Sequence, residues 1–218
     1  MKEFKAIVKK ELCLASSPYV YLFALLGALT IFPSYPAIVG TGYFILGVFT
    51  ADGIRRSNRD VEFTATLPIK RSDVVTGRMI FLAAIELLTF VVSGAAAVAA
   101  DFAISPDGNP VGLDPNFAFF GVALAAAGAF NAVYLAGFFK TGYKAGVPVI
   151  KGLIAFFLVY AAVEGLCFVP AVKAVLDGIG GDYLRIRAIV FVGGAAIYAG
   201  LSVLGVKAAQ KRFEKVSL

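Results

Sequence analysis

Three polar side chains interrupt otherwise apolar stretches of this sequence and are its candidates for chemistry inside a membrane. They are Glu86, Asn131 and Glu164. An acid near the bilayer centre costs about 3 kcal/mol or more unless it is paired or hydrated, so such residues often mark substrate, ion or proton pathways. Each acid could equally bond to a neighbouring helix or lie in an interfacial layer. We treat all three residues as candidate pathway or gating residues, and we expect the two acids to lie at different depths.

A second candidate segment, residues 54–72, separates two long apolar blocks. Its central residues combine charges of both signs with apolar side chains: Arg59, Asp60, Glu62, Phe63, Thr66, Leu67 and Pro68. Phe63 and Leu67 are four residues apart and would share one face of a short helix. An aromatic side chain among mixed charges suits a shallow groove on another protein, whereas lipid headgroups alone would favour a uniformly basic sequence. The segment is therefore predicted to dock on a protein partner.

Several kinds of chemistry are disfavoured by residues that the sequence lacks. It contains no histidine, which argues against His-dependent triads and His-ligated zinc or haem. Neither G-x-x-x-x-G-K-[ST] nor G-x-S-x-G occurs. Cys13 and Cys167 are far apart and are predicted to be isolated thiols rather than a disulfide or a metal pair. We predict that the chain is not an enzyme and holds no metal or cofactor of its own.

The composition predicts that a bilayer surrounds most of the chain. Of its 218 residues 60 % are hydrophobic, the mean hydropathy is +0.86, and the apolar residues form long blocks. A net charge of +6 could suggest nucleic acid, but the basic residues border the apolar blocks, as in membrane proteins. We expect an all-α integral membrane protein with a single transmembrane domain over 1–218 and no nucleic-acid partner.

The apolar blocks and their breaks predict the order of the helices. Residues 1–15 alternate lysines with an apolar stripe and are predicted to form an amphipathic helix at the lipid interface. The stretch between Glu11 and Ile54 has no basic residue and is long enough to cross twice, turning at 33–36. Six spans are predicted, at about 18–32, 36–53, 73–104, 116–139, 147–171 and 187–206.

Small residues on two of these spans predict close helix packing. Gly121, Ala125 and Ala129 form a row on the fourth span, and Gly193, Gly194 and Gly200 mark the sixth. Such residues let helix backbones approach one another in a membrane. We expect this packing to lie within the subunit.

The distribution of basic residues predicts the orientation of the chain. Seventeen of the twenty Lys and Arg residues fall at one end of the predicted spans and three at the other. Because basic residues accumulate in cytoplasmic segments, both termini and 54–72 are predicted to be cytoplasmic. The loops 101–115 and 172–186 are then external.

The segment after the second span resembles the permease subunits of type-2 ABC exporters. Thr66–Arg71 (TLPIKR), followed by Asp73–Val75 and Gly77–Met79, is similar to the "(S/T)LP-x-(S/K)R" segment that leads into the third span in that family. The predicted layout, an interfacial helix and six spans with both ends cytoplasmic, agrees with the family over the whole chain. The resemblance is closest to small permeases associated with peptide or antimicrobial-peptide export and immunity.

The resemblance implies a function and a set of partners. Arg59 to Pro68 would be a coupling helix that inserts into a separate ATPase subunit, of which two copies are expected, with ATP and Mg²⁺ bound there. A second permease, identical or paralogous, would complete the translocation pathway in the plasma membrane of a prokaryote. The cargo would be an amphipathic peptide or another apolar molecule.

Two other functions remain open from the residues alone. The chain could be a membrane immunity or scaffold protein that binds a partner without transporting anything. It could also be an ion-coupled secondary transporter, although that class usually shows internal repeats, and we find none.

Overall fold

The computed structural model describes residues 2–14, 17–66, 69–103, 109–141, 144–178 and 181–216. These residues form helices and connecting turns, with no strand among them. The helices are α1 Lys2–Lys9, a π-helix Lys10–Leu14, α2 Pro18–Leu25, a 3₁₀-helix Leu26–Ile31, α3 Ala37–Gly42, α4 Phe44–Ser57, α5 Asp60–Ala65, α6 Arg71–Ala103, α7 Phe117–Phe138, α8 Gly146–Leu166, α9 Pro170–Leu176 and α10 Leu184–Phe213.

Five helical segments are long and apolar enough to cross a membrane. They are Ala37–Ser57, Arg71–Asp101, Phe117–Phe138, Gly146–Leu166 and Leu184–Phe213. Ala6–Cys13 and Pro18–Ile31 qualify only as a pair bent by 71°, which makes six spans if the pair counts as one. The prediction of an all-α integral membrane protein is confirmed.

The first two predicted spans, 18–32 and 36–53, are less regular than a continuous apolar run suggests. The first changes from α2 to the 3₁₀-helix at Leu26, where Gly27 packs against α6. The second is divided at Tyr43 and continues to Ser57, past the first basic residue of the segment, because Arg55 is buried rather than interfacial. A basic residue therefore does not mark the end of this helix.

The predicted fifth span, 147–171, also differs from the helix that the structure has. α8 ends at Leu166, and α9 begins separately at Pro170. Proline lacks the N–H that would continue the helix, and Val169 before it is extended.

The predicted interfacial helix, 1–15, is divided into α1 and the π-helix, and Ile7 is buried against Gly77 of α6.

α7 is the central helix of the bundle and packs against α8 on one side and α10 on the other. It is apolar all round and largely buried, as expected for a helix surrounded by others. Phe130 stacks on Tyr134 with ring centroids 5.2 Å apart, and Phe44 of α4 meets Phe130 edge-on at 5.4 Å. These aromatic contacts join α4 to the central helix.

Glycines allow α7 and α10 to approach backbone to backbone. A Cβ added at Gly121 would lie 2.6 Å from the Val190 carbonyl oxygen, and one at Gly128 would lie 2.7 Å from the Tyr198 Cα. A Cβ at Gly194 would collide with the Gly121 backbone. Gly193, next in the chain, has open space instead. Gly121 of the predicted row and Gly194 of α10 therefore pack inside the subunit, whereas Gly200, like Gly193, has open space.

This contrast between neighbouring glycines yields a stability test. We expect Gly194→Ala to destabilise the bundle by about 1–3 kcal/mol, because a methyl group cannot fit against Gly121. Gly193→Ala should be neutral or slightly stabilising, since alanine favours the helix by about 1 kcal/mol over glycine. The measurement is the temperature at which the detergent-solubilised protein loses its monodisperse chromatographic peak. Equal behaviour of the two variants would contradict the packing described here.

Candidate functional site

The start of α6 meets the C-terminal segment at one end of the bundle, which we call the basic end and define by residues 10–14, α5 and the last turn of α10. Arg71, at the start of α6, donates hydrogen bonds to the carbonyl oxygens of Phe213 at 2.8 Å and Val216 at 2.7 Å. Its guanidinium also lies 5.5 Å from the centre of the Phe213 ring. The start of the third predicted span is thereby fastened to the C-terminal segment.

Four charged side chains form a buried ion cluster beside this end: Glu11, Asp52, Arg55 and Arg78. Each is at most 3 % exposed. Arg78 Nη1 lies 2.7 Å from Asp52 Oδ1, and Arg55 Nη2 lies 3.0 Å from Glu11 Oε2. Longer ion pairs of 3.6 and 3.7 Å join Arg55 to Asp52 and Arg78 to Glu11. Every acid thus faces both arginines, and the π-helix, α4 and α6 are tied together.

The cluster extends to the central helix through Tyr134. The Tyr134 hydroxyl donates a 2.6 Å hydrogen bond to Asp52 Oδ2. Aromatic rings cover the two guanidinium groups: Arg55 lies 4.3 Å from the centre of the Phe81 ring, and Arg78 lies 4.9 Å from that of Phe138. Two carboxylates and two guanidiniums balance in charge, so the cluster can be buried as a unit, whereas a single member could not.

Lys10 of the π-helix holds α5 in place. Lys10 Nζ lies 2.8 Å from Asp60 Oδ1 and donates a 2.6 Å hydrogen bond to Thr64 Oγ1. The same ammonium group lies 3.4 Å from Glu11 Oε1. Burial raises the pKa of the Asp60 carboxyl, although the hydrogen bond and charge of Lys10 act in the opposite direction. Lys10 therefore connects α5 directly to the buried ion cluster.

The other face of α5 is open and carries the predicted docking residues Arg59, Glu62 and Phe63, whereas the predicted docking residue Asp60 faces Lys10. Phe63 is 61 % exposed, and the side chains of Arg59 and Glu62 are 81 % and 68 % exposed and 4.0 Å apart. Thr66 is exposed, and its hydroxyl donates to the Phe63 carbonyl oxygen at 2.8 Å. Leu67 and Pro68 lie outside the described residues. Arg59 has a left-handed backbone (φ 50°) and turns the chain from α4 into α5.

Two of the three candidate pathway residues meet in the middle of the bundle. Asn131 Nδ2 donates to Glu86 Oε2 at 3.1 Å and to Ser202 Oγ at 3.2 Å. The Tyr198 hydroxyl donates to the same Glu86 oxygen at 2.6 Å. Glu86 Oε1 is buried and has no hydrogen-bond partner among the described residues. This polar cluster joins α6, α7 and α10.

Glu164 lies elsewhere, half-buried near the opposite end of the bundle. A Cβ added at Gly112 in the loop after α6 would come 3.4 Å from Glu164 Oε1. One turn earlier, the Tyr160 hydroxyl accepts a 3.3 Å hydrogen bond from the Leu113 N–H. Nearby, Asn116 Nδ2 donates to the Leu176 carbonyl oxygen at 2.8 Å and joins this loop to α9. Glu164 thus belongs to a loop contact and does not meet Glu86.

The buried ion cluster was not predicted from the sequence, although one signal was present. Asp52 is the single acid in the long stretch without Lys or Arg between Glu11 and Ile54. An acid there needs a cation, and Arg55 lies one helical turn away. The partners Glu11 and Arg78 come from distant segments, and only the folded chain brings them near.

Among the described residues, no group of three or more acidic or cysteine side chains could hold a metal ion.

Charge balance in the buried ion cluster can be tested with a pair of variants. Arg78→Gln leaves one carboxylate uncompensated and should cost about 3–5 kcal/mol, which lowers the apparent unfolding temperature by roughly 10 °C. The double variant Asp52→Asn/Arg78→Gln restores neutrality and should recover more than half of that loss. The measurement is thermal unfolding in detergent. A double variant as unstable as the sum of its singles would contradict the argument.

Comparison with known proteins assigns a family to this chain. Residues 1–204 match the family model described as "ABC-2 family transporter protein". Searches of curated proteins and of solved structures find no significant match. The family match covers nearly the whole chain, including the spans, α5 and the buried ion cluster, and it confirms the resemblance to ABC-2 permeases. The chain therefore belongs to the ABC-2 transporter family, as a multi-pass permease subunit of an ABC transporter.

Proposed function

We propose that this permease works in an ATP-driven exporter and that α5 is its coupling helix. Two ATPase subunits would dock beneath the basic end and bind ATP and Mg²⁺. A second permease, identical or paralogous, would complete the pathway. Both termini would be cytoplasmic, in the plasma membrane of a prokaryote. The cargo would be an amphipathic peptide, such as an antimicrobial peptide, or another apolar molecule.

The observation that carries this proposal is the two-sided character of α5. One face is fixed to the bundle through Asp60 and Thr64, while the other presents Phe63 between the exposed charges of Arg59 and Glu62. An exposed aromatic ring of this kind, at the end of a membrane bundle, favours a protein groove as its environment. Family membership implies an ATPase partner, and α5 is suited to meet it.

The contacts behind α5 provide a route for mechanical coupling. A shift of α5 would act on Lys10 and, through it, on Glu11 and the two arginines of the buried ion cluster. Those arginines belong to α4 and α6, and Asp52 continues the contact to Tyr134 on α7. An ATPase can change the permease only through contacts that differ between its own states. We propose that α5 makes the contacts that differ between the states of the ATPase.

A second permease is supported by the apolar surface that the bundle leaves uncovered. α10 is the least buried of the five long helices and exposes Ile189, Val192, Ile197, Val203 and Leu204. Lipid or a second subunit must cover such side chains. The arrangement of two permeases around a shared pathway is the interpretation that family membership favours.

The coupling proposal is tested by Phe63→Ala and Glu62→Lys. Loss of a buried aromatic anchor typically costs at least about 2 kcal/mol, or about 30-fold in affinity. We therefore expect weaker capture of the cognate ATPase and loss of transport coupled to ATP hydrolysis, with normal membrane insertion. The measurements are ATPase capture by the solubilised permease and cargo transport in proteoliposomes.

Phe168→Ala is the matched control for this test, because Phe168 is a more exposed aromatic, at 88 %, near the opposite end of the bundle. It should retain ATPase capture and coupled transport. Wild-type transport by both α5 variants would overturn the assignment. Transport that persists without ATPase and stops when the ion gradient is dissipated would instead indicate a secondary transporter, and binding without transport would indicate an immunity or scaffold protein.

The proposed orientation predicts the sidedness of thiol labelling. In a Cys13→Ser/Cys167→Ser background, we expect Phe63→Cys to react with an impermeant maleimide only in inside-out vesicles. Val111→Cys, in the exposed loop at the other end, should react only in intact cells. The reverse pattern would place α5 outside and contradict the coupling role.

A further inference from the structure

An apolar groove runs along the outside of the polar cluster formed by Glu86. Its volume is about 410 Å³, and it lies between α6, α7 and α10. The lining residues are Ala83, Glu86, Leu87, Phe90, Val91, Gly94, Phe120, Leu124, Phe191 and Tyr198. Four of them are aromatic, and Glu86 is the one residue among them that can carry a charge. Leu87 and Val91 are exposed at its rim, so the groove is open to the surroundings of the bundle.

Glu86 differs from the other buried acids within the described spans. Asp52 and Glu11 both face arginines in the buried ion cluster. Glu86 is 1 % exposed, and its partners are the neutral groups of Tyr198 and Asn131. Among the described residues, it has no cation within ion-pair distance. Burial without a counter-charge disfavours the carboxylate form of such an acid, and a cation placed beside it would restore that form.

We propose that the groove binds a hydrophobic cation, an ammonium- or phosphonium-type ion with an apolar body. Glu86 would release its proton to the surrounding water as the cation binds and would then supply the balancing negative charge from behind the groove wall. Phe90, Phe120, Phe191 and Tyr198 would surround the apolar body and offer their ring faces to the positive charge. The volume is within the range of sites for small organic ligands.

The same features disfavour other occupants. An anion would find no positive charge in the groove, which offers no basic side chain to bind it. A neutral acyl chain could fill the space but would make no use of the acid behind its wall. The proposal deepens the proposed function by naming a cargo class, hydrophobic cations, and it rests on that function only for the step of transport, since binding requires the permease alone.

Two probes of nearly identical shape and opposite charge test the proposal. Tetraphenylphosphonium and tetraphenylborate are offered to the purified full-length permease in nanodiscs of zwitterionic lipid, with empty nanodiscs as the background. We expect saturable binding of tetraphenylphosphonium, at least tenfold tighter than that of tetraphenylborate. Equal binding of the two ions would show that the groove accepts any apolar body, and it would overturn the proposal.

Two variants then separate charge from shape. Glu86→Gln keeps an acceptor for Tyr198 and should weaken tetraphenylphosphonium binding at least tenfold. Gly94→Leu should block the groove without disturbing the fold, because a Cβ at Gly94 meets nothing closer than the Phe120 ring at 3.9 Å. The controls are Asp101→Asn, an exposed acid of the same helix, and Gly193→Leu, which has open space. Both should bind as the wild type does.

The outcomes distinguish this inference from the proposed function. Wild-type binding by a monodisperse Glu86→Gln protein would overturn the role of the charge, and wild-type binding by Gly94→Leu would overturn the location. If wild-type permease binds tetraphenylphosphonium but moves nothing with its ATPase and ATP, the exporter proposal fails while the cation site stands. If coupled transport of other cargo proceeds without any tetraphenylphosphonium binding, the cation site fails alone.

Discussion

The packing of the bundle depends on four charged side chains that are buried together and balance one another in charge. Glu11, Asp52, Arg55 and Arg78 come from three separate segments, and each is almost fully buried. An isolated charge in such surroundings is costly, so each segment requires the others to be in position. The cluster therefore fixes how the π-helix, α4 and α6 pack against one another. Its hydrogen bond to Tyr134 fixes them to the central helix as well.

That constraint also explains how so short a helix as α5 can be well placed. Six residues do not form a stable helix on their own in water. Lys10 bonds to Asp60 and Thr64 and is itself next to Glu11. α5 is therefore an extension of the buried ion cluster with one face left open. The face of α5 that carries Asp60 and Thr64 is fixed to the bundle, and the face that carries Phe63 is exposed. The proposed coupling role needs both properties.

The two buried polar clusters of the bundle contrast in charge balance. In the first, carboxylates and guanidiniums match, which favours a structural role. In the second, Glu86 has neutral hydrogen-bond donors and an oxygen with no partner among the described residues, and it borders an open aromatic groove. A charge-balanced cluster stabilises one arrangement, whereas an acid with no counter-charge leaves free energy available for a cationic ligand. The groove beside Glu86 is for this reason the place where we propose that a ligand is recognised.

The sequence by itself determined that a bilayer surrounds the chain, that the fold is all-α and where the spans approximately lie. Long apolar blocks bordered by basic residues are stable in few arrangements other than membrane-spanning helices. It also identified Glu86, Asn131 and the docking segment as unusual. Only the tertiary structure decided which polar groups meet: Asn131 bonds to Glu86 while Glu164 does not, and Arg55, which reads as the end of a span, is buried. Hydropathy is a property of each segment alone, whereas the pairing of charges depends on how distant segments pack, and that information appears only in the folded chain.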